Sequence, residues 1–349
     1  MNETGKYPSD SLHTFFLFCD KLFVKKKSLL VILHDNPDPD SIASAWAMQY
    51  LVFQRYAVSV SIAYGGVIRR AENRAMIQKL KIKLKQIGRI KFQKYDCISL
   101  VDTQPGAGNN SLPDNASCDI VIDHHPQRNS LRADFALIKP DTGATATLMV
   151  NLLQYAGLDI RTDLATALSY AITSETQNLK REANRQDIEA FLFVYNKCNV
   201  RTLGEIIHPK LPRTYFITLS TALKKAIVFQ NIICTHLGEV PNPEIVSEMA
   251  DFFHRHERIG RVLCTGKFRD YFIVSIRVSS AGAHAGKIIQ KLVKNTDTAG
   301  GHETMAGGYI PLQKSGAQDI TVIENDISKN FAKILGYINP RWNQLIPQL

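Results

Sequence analysis

The sequence predicts an α/β protein, a doubly wound and mainly parallel sheet followed by a smaller α/β domain. Three observations carry that expectation. Short, continuous apolar runs alternate with stretches of helical periodicity, the pattern of strands covered on both faces by crossover helices. The 349 residues are 45% apolar and 21% charged, which is enough for two domains with their own cores and too apolar for a disordered or fibrous chain. Two prolines within residues 208–213 bar a continuous helix where the first run of elements ends, and they mark the boundary.

Each element has a local justification. Residues 11–24 repeat apolar side chains at helical spacing and end in Lys25, Lys26 and Lys27. Residues 28–33 are a short apolar run, read as a buried strand. A polar loop from His34 to Asp40, stiffened by Pro37 and Pro39, leads into a helix over 41–56 capped by Asp40 or Ser41. The unit recurs as strand 58–64, helix 71–84, strand 97–101 ending at Asp102, and strand 119–122 ending at Asp123. Residues 143–197 read as three helices, interrupted at 157–159 and 173–184. Beyond the prolines, 214–229 reads as a helix, 232–237, 261–267 and 271–278 as strands, and 243–256 and 284–293 as helices. A glycine-rich segment, 299–308, precedes a short strand at 309–312 and a terminal helix near 321–335.

Composition narrows the class of function. Forty-two Lys and Arg against 32 Asp and Glu give a net charge of +10, a field that draws nucleic acid or phosphorylated metabolites. The longest apolar stretch near the N-terminus is broken by Asp20 and Lys21, well short of the ~18 residues a membrane span needs. The first residues lack the apolar core of a secretory signal, so the expectation is a cytoplasmic protein without a membrane partner. Cys19, Cys97, Cys118, Cys198, Cys234 and Cys264 form no Cys-x-x-Cys pair and read as reduced core residues.

Chemistry concentrates where the first domain's strands end. His34, Asp38 and Asp40 follow one strand, Asp102 ends a second, and Asp123, His124 and His125 end a third. Each cluster alone has an ordinary reading, because loop aspartates make turns and cap helices and a lone histidine is usually a hydrogen-bonded core ring. All three together, at the carboxyl edge where a doubly wound sheet binds ligands, point to a metal site. Carboxylate and imidazole without thiolate suit Mn2+, Mg2+, Fe2+ or Zn2+, and a carboxylate-rich set favours manganese. Two cations sharing one carboxylate at ~3.5–4 Å would relieve the acidic repulsion and activate water for phosphoryl transfer.

His34-x-x-x-Asp38-x-Asp40, Asp102, Asp123-His124-His125 and Gly300-Gly301-His302-x-x-x-Ala306-Gly307 resemble, in order, the motifs of the DHH phosphoesterase superfamily with its C-terminal DHH-associated domain. The resemblance runs over residues 28–312 and is strongest to the oligoribonuclease and phosphoadenosine-phosphate phosphatase group. It implies an N-terminal helical extension over 1–27, a metal-binding domain over 28–207, a linker and connecting helix over 208–228, and a substrate-binding domain over 229–349, with the active site in the cleft between domains. It implies that His34 and Asp38 hold one manganese, that Asp40 and His124 hold the other, and that Asp102 bridges them. Asp123 would support its neighbours and His125 would touch the scissile phosphate. A T-D-T segment completes the second metal in the family, and here the matching stretch, residues 173–176, offers Glu175. Arg277, Gly300, Gly301 and His302 would grip the substrate's terminal nucleotide or phosphate, although a Gly-Gly-His is often only a turn and a strand arginine a solvated one. Met305 stands where small residues are common.

The expected activity is hydrolysis of phosphate esters in short single-stranded RNA or DNA, phosphoadenosine phosphate, or linear and cyclic dinucleotides, by water activated between two divalent cations, Mn2+ before Mg2+. Alternatives are a nucleotide sensor that lost catalysis, for which Glu175 speaks, and an inorganic pyrophosphatase or single-strand exonuclease. Arg69, Arg70, Arg74 and the seven basic residues of 79–94 either track a phosphate backbone or form a solvated helix face; Arg181 and Arg185 are better placed for a substrate. Oligomeric state stays open, a homodimer included.

Overall fold

The structure, a computed structural model, describes residues 9–68, 70–113, 116–129, 131–180, 183–279, 284–294, 298–301, 303–312 and 320–347. The chain divides into two compact units, Met1–Lys210 and Leu211–Leu349.

The first unit contains α1 (Ser9–Leu22), β1 (Ser28–Ile32), α2 (Pro39–Tyr56), β2 (Ser59–Tyr64), α3 (Ala71–Leu80), β3 (Leu84–Gln86), β4 (Cys97–Val101), β5 (Cys118–Asp123), β6 (Ala133–Ile138), α4 (Thr145–Tyr155), α5 (Thr162–Glu175), α6 (Arg185–Tyr195) and α7 (Val200–Ile207). Its six strands lie in the order β3-β2-β1-β4-β5-β6, and every pairing is parallel. The order reverses direction between β1 and β4, the point where sheets of this kind open a crevice at their carboxyl edge. Leu29, Leu30, Val31 and Ile32 are fully buried, as a central strand covered on both faces requires. The N-terminal helix joins this core, with the ring of Phe15 5.7 Å from that of Phe135 on β6.

Two differences from the sequence reading bear on the site. Helix α2 begins at Pro39, and its cap is Asp38 rather than Asp40 or Ser41: Asp38 Oδ1 accepts the Ser41 N–H at 3.0 Å. Proline suits the first helical position, where its missing N–H is no loss, so the helix starts earlier and carries Asp40 into its buried first turn. Helix α3 ends at Leu80, with Lys81 in the left-handed conformation, and residues beyond it form the edge strand β3.

The second unit contains α8 (Arg213–Lys225), β7 (Ile227–Phe229), β8 (Ile232–Glu239), α9 (Glu244–His254), β9 (Arg261–Phe268), β10 (Tyr271–Val278), α10 (Ala285–Val293), β11 (Ala299–Gly301), β12 (Met305–Pro311), α11 (Ile320–Ile334) and β13 (Asn343–Gln344). Its seven-stranded sheet has the order β11-β12-β10-β9-β8-β7-β13. Only β8 and β9 run parallel, joined through α9. One face carries Phe272, Val274, Ile276 and Val278 against α10 and α11. The other carries Val262, Cys264 and Ile273 against α8 and α9, so α8 belongs to this unit's core. The helix read over 214–229 ends at Lys225, and the β-branched residues after it pair as β7. No helix of the described residues is long and apolar enough to cross a membrane.

Candidate metal centre

The loop after β1 is clamped before it reaches α2. Asn36, at φ +57°, donates its N–H to Gly65 O, and its side-chain oxygen accepts the Val67 N–H at 2.9 Å. Asp35 donates its N–H to Asn109 O and accepts the Ser111 hydroxyl at 2.8 Å. That fixes His34, whose Nδ1–H donates to Asp35 O at 3.0 Å and whose Nε2 is thereby turned toward the acids. Nε2 lies 3.6 Å from Asp38 Oδ1 and 3.7 Å from Asp102 Oδ2.

Asp102 stands at the end of β4 with φ +61°, a left-handed conformation that Asp tolerates better than most side chains, and it is almost fully buried. Its two oxygens face different imidazoles: Oδ2 faces His34, while Oδ1 lies 3.7 Å from His124 Nε2. The Thr145 hydroxyl donates to Oδ1 at 2.8 Å. On the far side, His124 donates Nδ1–H to Thr142 O at 3.1 Å. Asp40 Oδ2 is 4.0 Å from His124 Nε2. The Asp40 carboxylate also takes the backbone N–H groups of Thr145 and Ala146, both at 2.7 Å. Helix α4 has no cap of its own in sequence, and Asp40 supplies one to its first turn.

Asp123 and His125 form the third corner. Asp123 is buried, and its Oδ1 accepts both the backbone N–H and the Nδ1–H of His125, the latter at 2.8 Å. Gln104 Nε2 donates to the other oxygen at 2.7 Å, while Gln104 Oε1 accepts the Arg128 N–H. Burial would raise the Asp123 carboxyl, and the hydrogen bonds and charge of His125 together with the Gln104 hydrogen bond outweigh it, leaving its pKa below the usual value. The same bond raises the His125 ring, whose Nε2 edge stays open because the side chain is 45% exposed.

Electrostatics suits this cluster to a cation. Burial pushes the Asp102 carboxyl well above the ordinary range, and Asp40, Asp38, Asp123 and Glu175 push the same way. Burial likewise raises Asp40 to about 6, against the attraction of His124. Burial disfavours a charged His34, and Asp38 overcomes it, raising the ring to about 9. The sharpest test is His124 Nε2, which is buried and has no hydrogen-bond partner among the described residues. Nitrogen and oxygen donors ~2.0–2.2 Å from a shared cation stand about 3–3.5 Å apart, close to the gaps found here and too wide for hydrogen bonds. Two trios of potential ligands result, His34, Asp38 and Asp102, and Asp102, His124 and His125, with Asp102 common to both. The donor set fits hard divalent ions of the Mn2+ and Mg2+ kind.

Glu175 ends α5 near enough for its charge to raise both Asp102 and His125. Three residues beyond the helix, Gln177, Asn178 and Leu179, all have positive φ. The expected grip in the second unit divides. Gly300 and Gly301 lie exposed on β11, and His302 lies outside the described residues. Arg277 is buried, and its five N–H groups go to Asp251 Oδ1 and Oδ2, Ser247 O, Ser275 Oγ and Ile276 O, which leaves no donor for a substrate while that arrangement holds. Arg181 and Arg69 lie outside the described residues, Arg185 pairs with Glu189, and Lys79 pairs with Glu205. Sequence reasoning missed Thr145 and Gln104; the available signals were a run of small residues opening a helix, 142–147, for the first and a polar residue two past the strand-end aspartate for the second.

The chain is similar to several known proteins. An uncharacterised protein of Methanocaldococcus jannaschii is 34% identical over 290 residues, covering 82% of this chain and 59% of the relative. A probable manganese-dependent inorganic pyrophosphatase of Lactobacillus johnsonii is 27% identical over 173 residues, covering 49% of this chain and 55% of the relative. The chain therefore spans less than two thirds of the length of either. An exopolyphosphatase-related protein of Bacteroides fragilis shares the fold, with a TM-score of 0.74 at 14% identity over 95% of this chain and 100% of that one. Residues 28–172 match the DHH family N-terminal domain and residues 229–329 the DHHA1 domain, and with both in that order the chain belongs to the DHH phosphoesterase superfamily that carries a C-terminal DHHA1 domain.

Proposed function

We propose that the protein is a divalent-metal-dependent phosphodiesterase that hydrolyses short single-stranded oligonucleotides to nucleotides. The observation that carries this reading is the buried, unpartnered Nε2 of His124 facing Asp102 and Asp40, with the Nε2 of His34 across Asp102, 3.6 Å from Asp38 and 3.7 Å from Asp102. His34, Asp38 and Asp102 would hold one cation, and Asp102, Asp40, His124 and Glu175 the second, with manganese first. Bound divalent ions supply Lewis acidity and lower the pKa of water at the site. The remaining work falls to the chain. Asp123 fixes the His125 ring through Nδ1–H and raises its pKa, so the exposed Nε2 edge would face a nonbridging phosphate oxygen where charge develops. Thr145 holds Asp102 in the orientation that faces both imidazoles.

Release of nucleoside monophosphate from di- to pentanucleotides with Mn2+, and its loss with chelator, tests the reading. Turnover per molecule should fall for long strands, and affinity should weaken with salt as phosphate contacts displace counterions. A purified, Mn2+-loaded protein that cleaves no oligonucleotide overturns it. The similarity to the Lactobacillus johnsonii relative favours a second reading, inorganic pyrophosphatase, and pyrophosphate included in the same panel decides between them.

A further inference from the structure

We infer that the second unit carries a separate ligand site for a nucleoside monophosphate, in a cavity of about 490 Å³ between the end of α11 and the chain that follows it, with Trp342 as its stacking surface and Lys329 and Lys333 as its phosphate clamp. None of its residues belongs to the metal centre. Phe229 of β7 touches both Tyr337 and Trp342, which places the cavity at the β7–β13 edge of the sheet. Strand β12 lies four positions away in that sheet, about 19 Å at ~4.8 Å per strand. The glycine-rich edge is therefore a different place.

The backbone builds the cavity as an arch. Helix α11 closes with Gly336 at φ +89°, whose N–H donates to Lys333 O at 3.0 Å, while the Tyr337 N–H reaches back to Ala332 O at 2.9 Å. Asn339, at φ +52°, and Pro340 then turn the chain, which is pinned again where Asn343 and Gln344 pair with β7. The span between, 337–342, is held at both feet. It does not settle onto the helix: Ile338 is left 87% exposed, and the space enclosed lies within the ~300–1,000 Å³ usual for small-molecule sites.

The lining is of two kinds. Trp342 and Tyr337 offer flat aromatic surface, and among the described residues their only ring partner is Phe229, which meets them in T-shaped contacts at 5.9 and 5.4 Å. No ring lies flat on the indole, and a base can. Lys329 and Lys333, one turn apart on α11 and both exposed, have no acidic partner among the described residues. Cations suit the last turns of a helix, but like charges four residues apart repel, and a phosphate held between them removes that penalty. The Trp342 indole N–H and the amides of Asn330 and Asn339 are likewise not engaged by any described residue, leaving donors and acceptors for ribose or a base edge. Inorganic phosphate would leave the indole bare, and a nucleoside would leave both lysines unpaired. The occupant that answers the whole lining carries a base and a phosphate together.

The chain has two tryptophans, Trp46 in α2 and Trp342, so in a Trp46→Phe background the emission of the full chain reports on the cavity. Adenosine monophosphate or uridine monophosphate, titrated with a chelator present so that no metal takes part, should quench that emission saturably, and added salt should weaken the binding. Adenosine alone and inorganic phosphate alone should each bind about tenfold more weakly, as should adenosine monophosphate to the chain carrying Lys329→Ala and Lys333→Ala, with thermal melting as the check on folding. Fluorine NMR of the wild-type chain labelled with fluorotryptophan makes the same reading without the Trp46 substitution. No saturable change with either nucleotide, or an unchanged affinity in the double lysine variant, overturns the site. Inorganic phosphate bound as tightly as adenosine monophosphate overturns a nucleotide as its occupant.

Discussion

Asp102 combines a left-handed backbone, near-complete burial and carboxylate neighbours that all resist its charge. Without a cation it opposes folding; with one it is the residue both trios share. Asp102→Asn keeps a side chain that accepts left-handed φ and the Thr145 hydroxyl while removing the charge. Its metal-free melting temperature should equal or exceed that of wild type, and Mn2+ should no longer raise it. Wild type should gain about 2.7 kcal/mol at a hundredfold excess of metal over Kd. Calorimetry with and without Mn2+ reads both, and a variant still stabilised by the ion contradicts the bridging role. Although His125 lies in one trio, the proposed ligand sets leave it out, so His125→Ala should lower kcat about 100- to 1000-fold with metal content unchanged, and loss of a metal would make it a ligand. Glu175 extends one methylene further than aspartate. If its carboxylate completes the second set, Glu175→Asp should retain two metals by elemental analysis while Glu175→Ala and Glu175→Gln lose one; two tightly held metals in Glu175→Ala rule the ligand role out.

At the scale of elements, the site is built on borrowed helix ends. Asp40 of α2 caps α4, and Asp187 of α6 does the same kind of work nearby, accepting from Gly143 N, Asn184 N and the Thr147 hydroxyl while fully buried. Asp187→Ala leaves those donors unpaired in the core and should cost about 3 kcal/mol, visible as a lower urea midpoint; a change under ~0.5 kcal/mol would mean that water replaces the carboxylate. These ties explain what could and could not be read from the sequence. Strand β1 was legible because burial on both faces leaves an uninterrupted apolar run, and the acids and imidazoles after β1, β4 and β5 were legible because strand ends are where such sheets bind ligands. Edge strands β3 and β6 were not, since their burial alternates and polar residues interrupt them. Thr145 and Gln104 were hidden for another reason: their partners lie 43 and 19 residues away, and no local pattern encodes a long-range hydrogen bond. Arg277 was legible as an arginine on a strand, but its commitment to Asp251 depends on where α9 packs.

For the whole molecule, the two units should answer to different solution conditions. Every metal ligand proposed here lies in the first unit, so Mn2+ should raise that unit's unfolding transition and leave the other in place. The second unit buries His236 between the hydroxyls of Thr265 and Ser328, and burial, helped by Lys225, lowers its pKa to about 4. The folded state thus prefers neutral imidazole. Its contribution is complete above pH 6.5, falls as the pH drops toward 4, and amounts to about 3 kcal/mol across that window. Urea midpoints at pH 7.5 and 5 should differ for wild type and converge for His236→Gln; an unchanged gap in the variant would assign the acid sensitivity elsewhere. The bond from Thr145 to Asp40 spans 105 residues, which also sets an order of events during synthesis. As the polypeptide leaves the ribosome, the loop of His34, Asp38 and Asp40 emerges long before β4, β5 and the first turn of α4 exist to complete it. Closing loops of that length is entropically costly until the β1–β4 pairing offsets it. A cation held by these residues would therefore latch a sheet already made rather than nucleate this unit, and metal uptake by a nascent chain would mark the moment the first unit is finished.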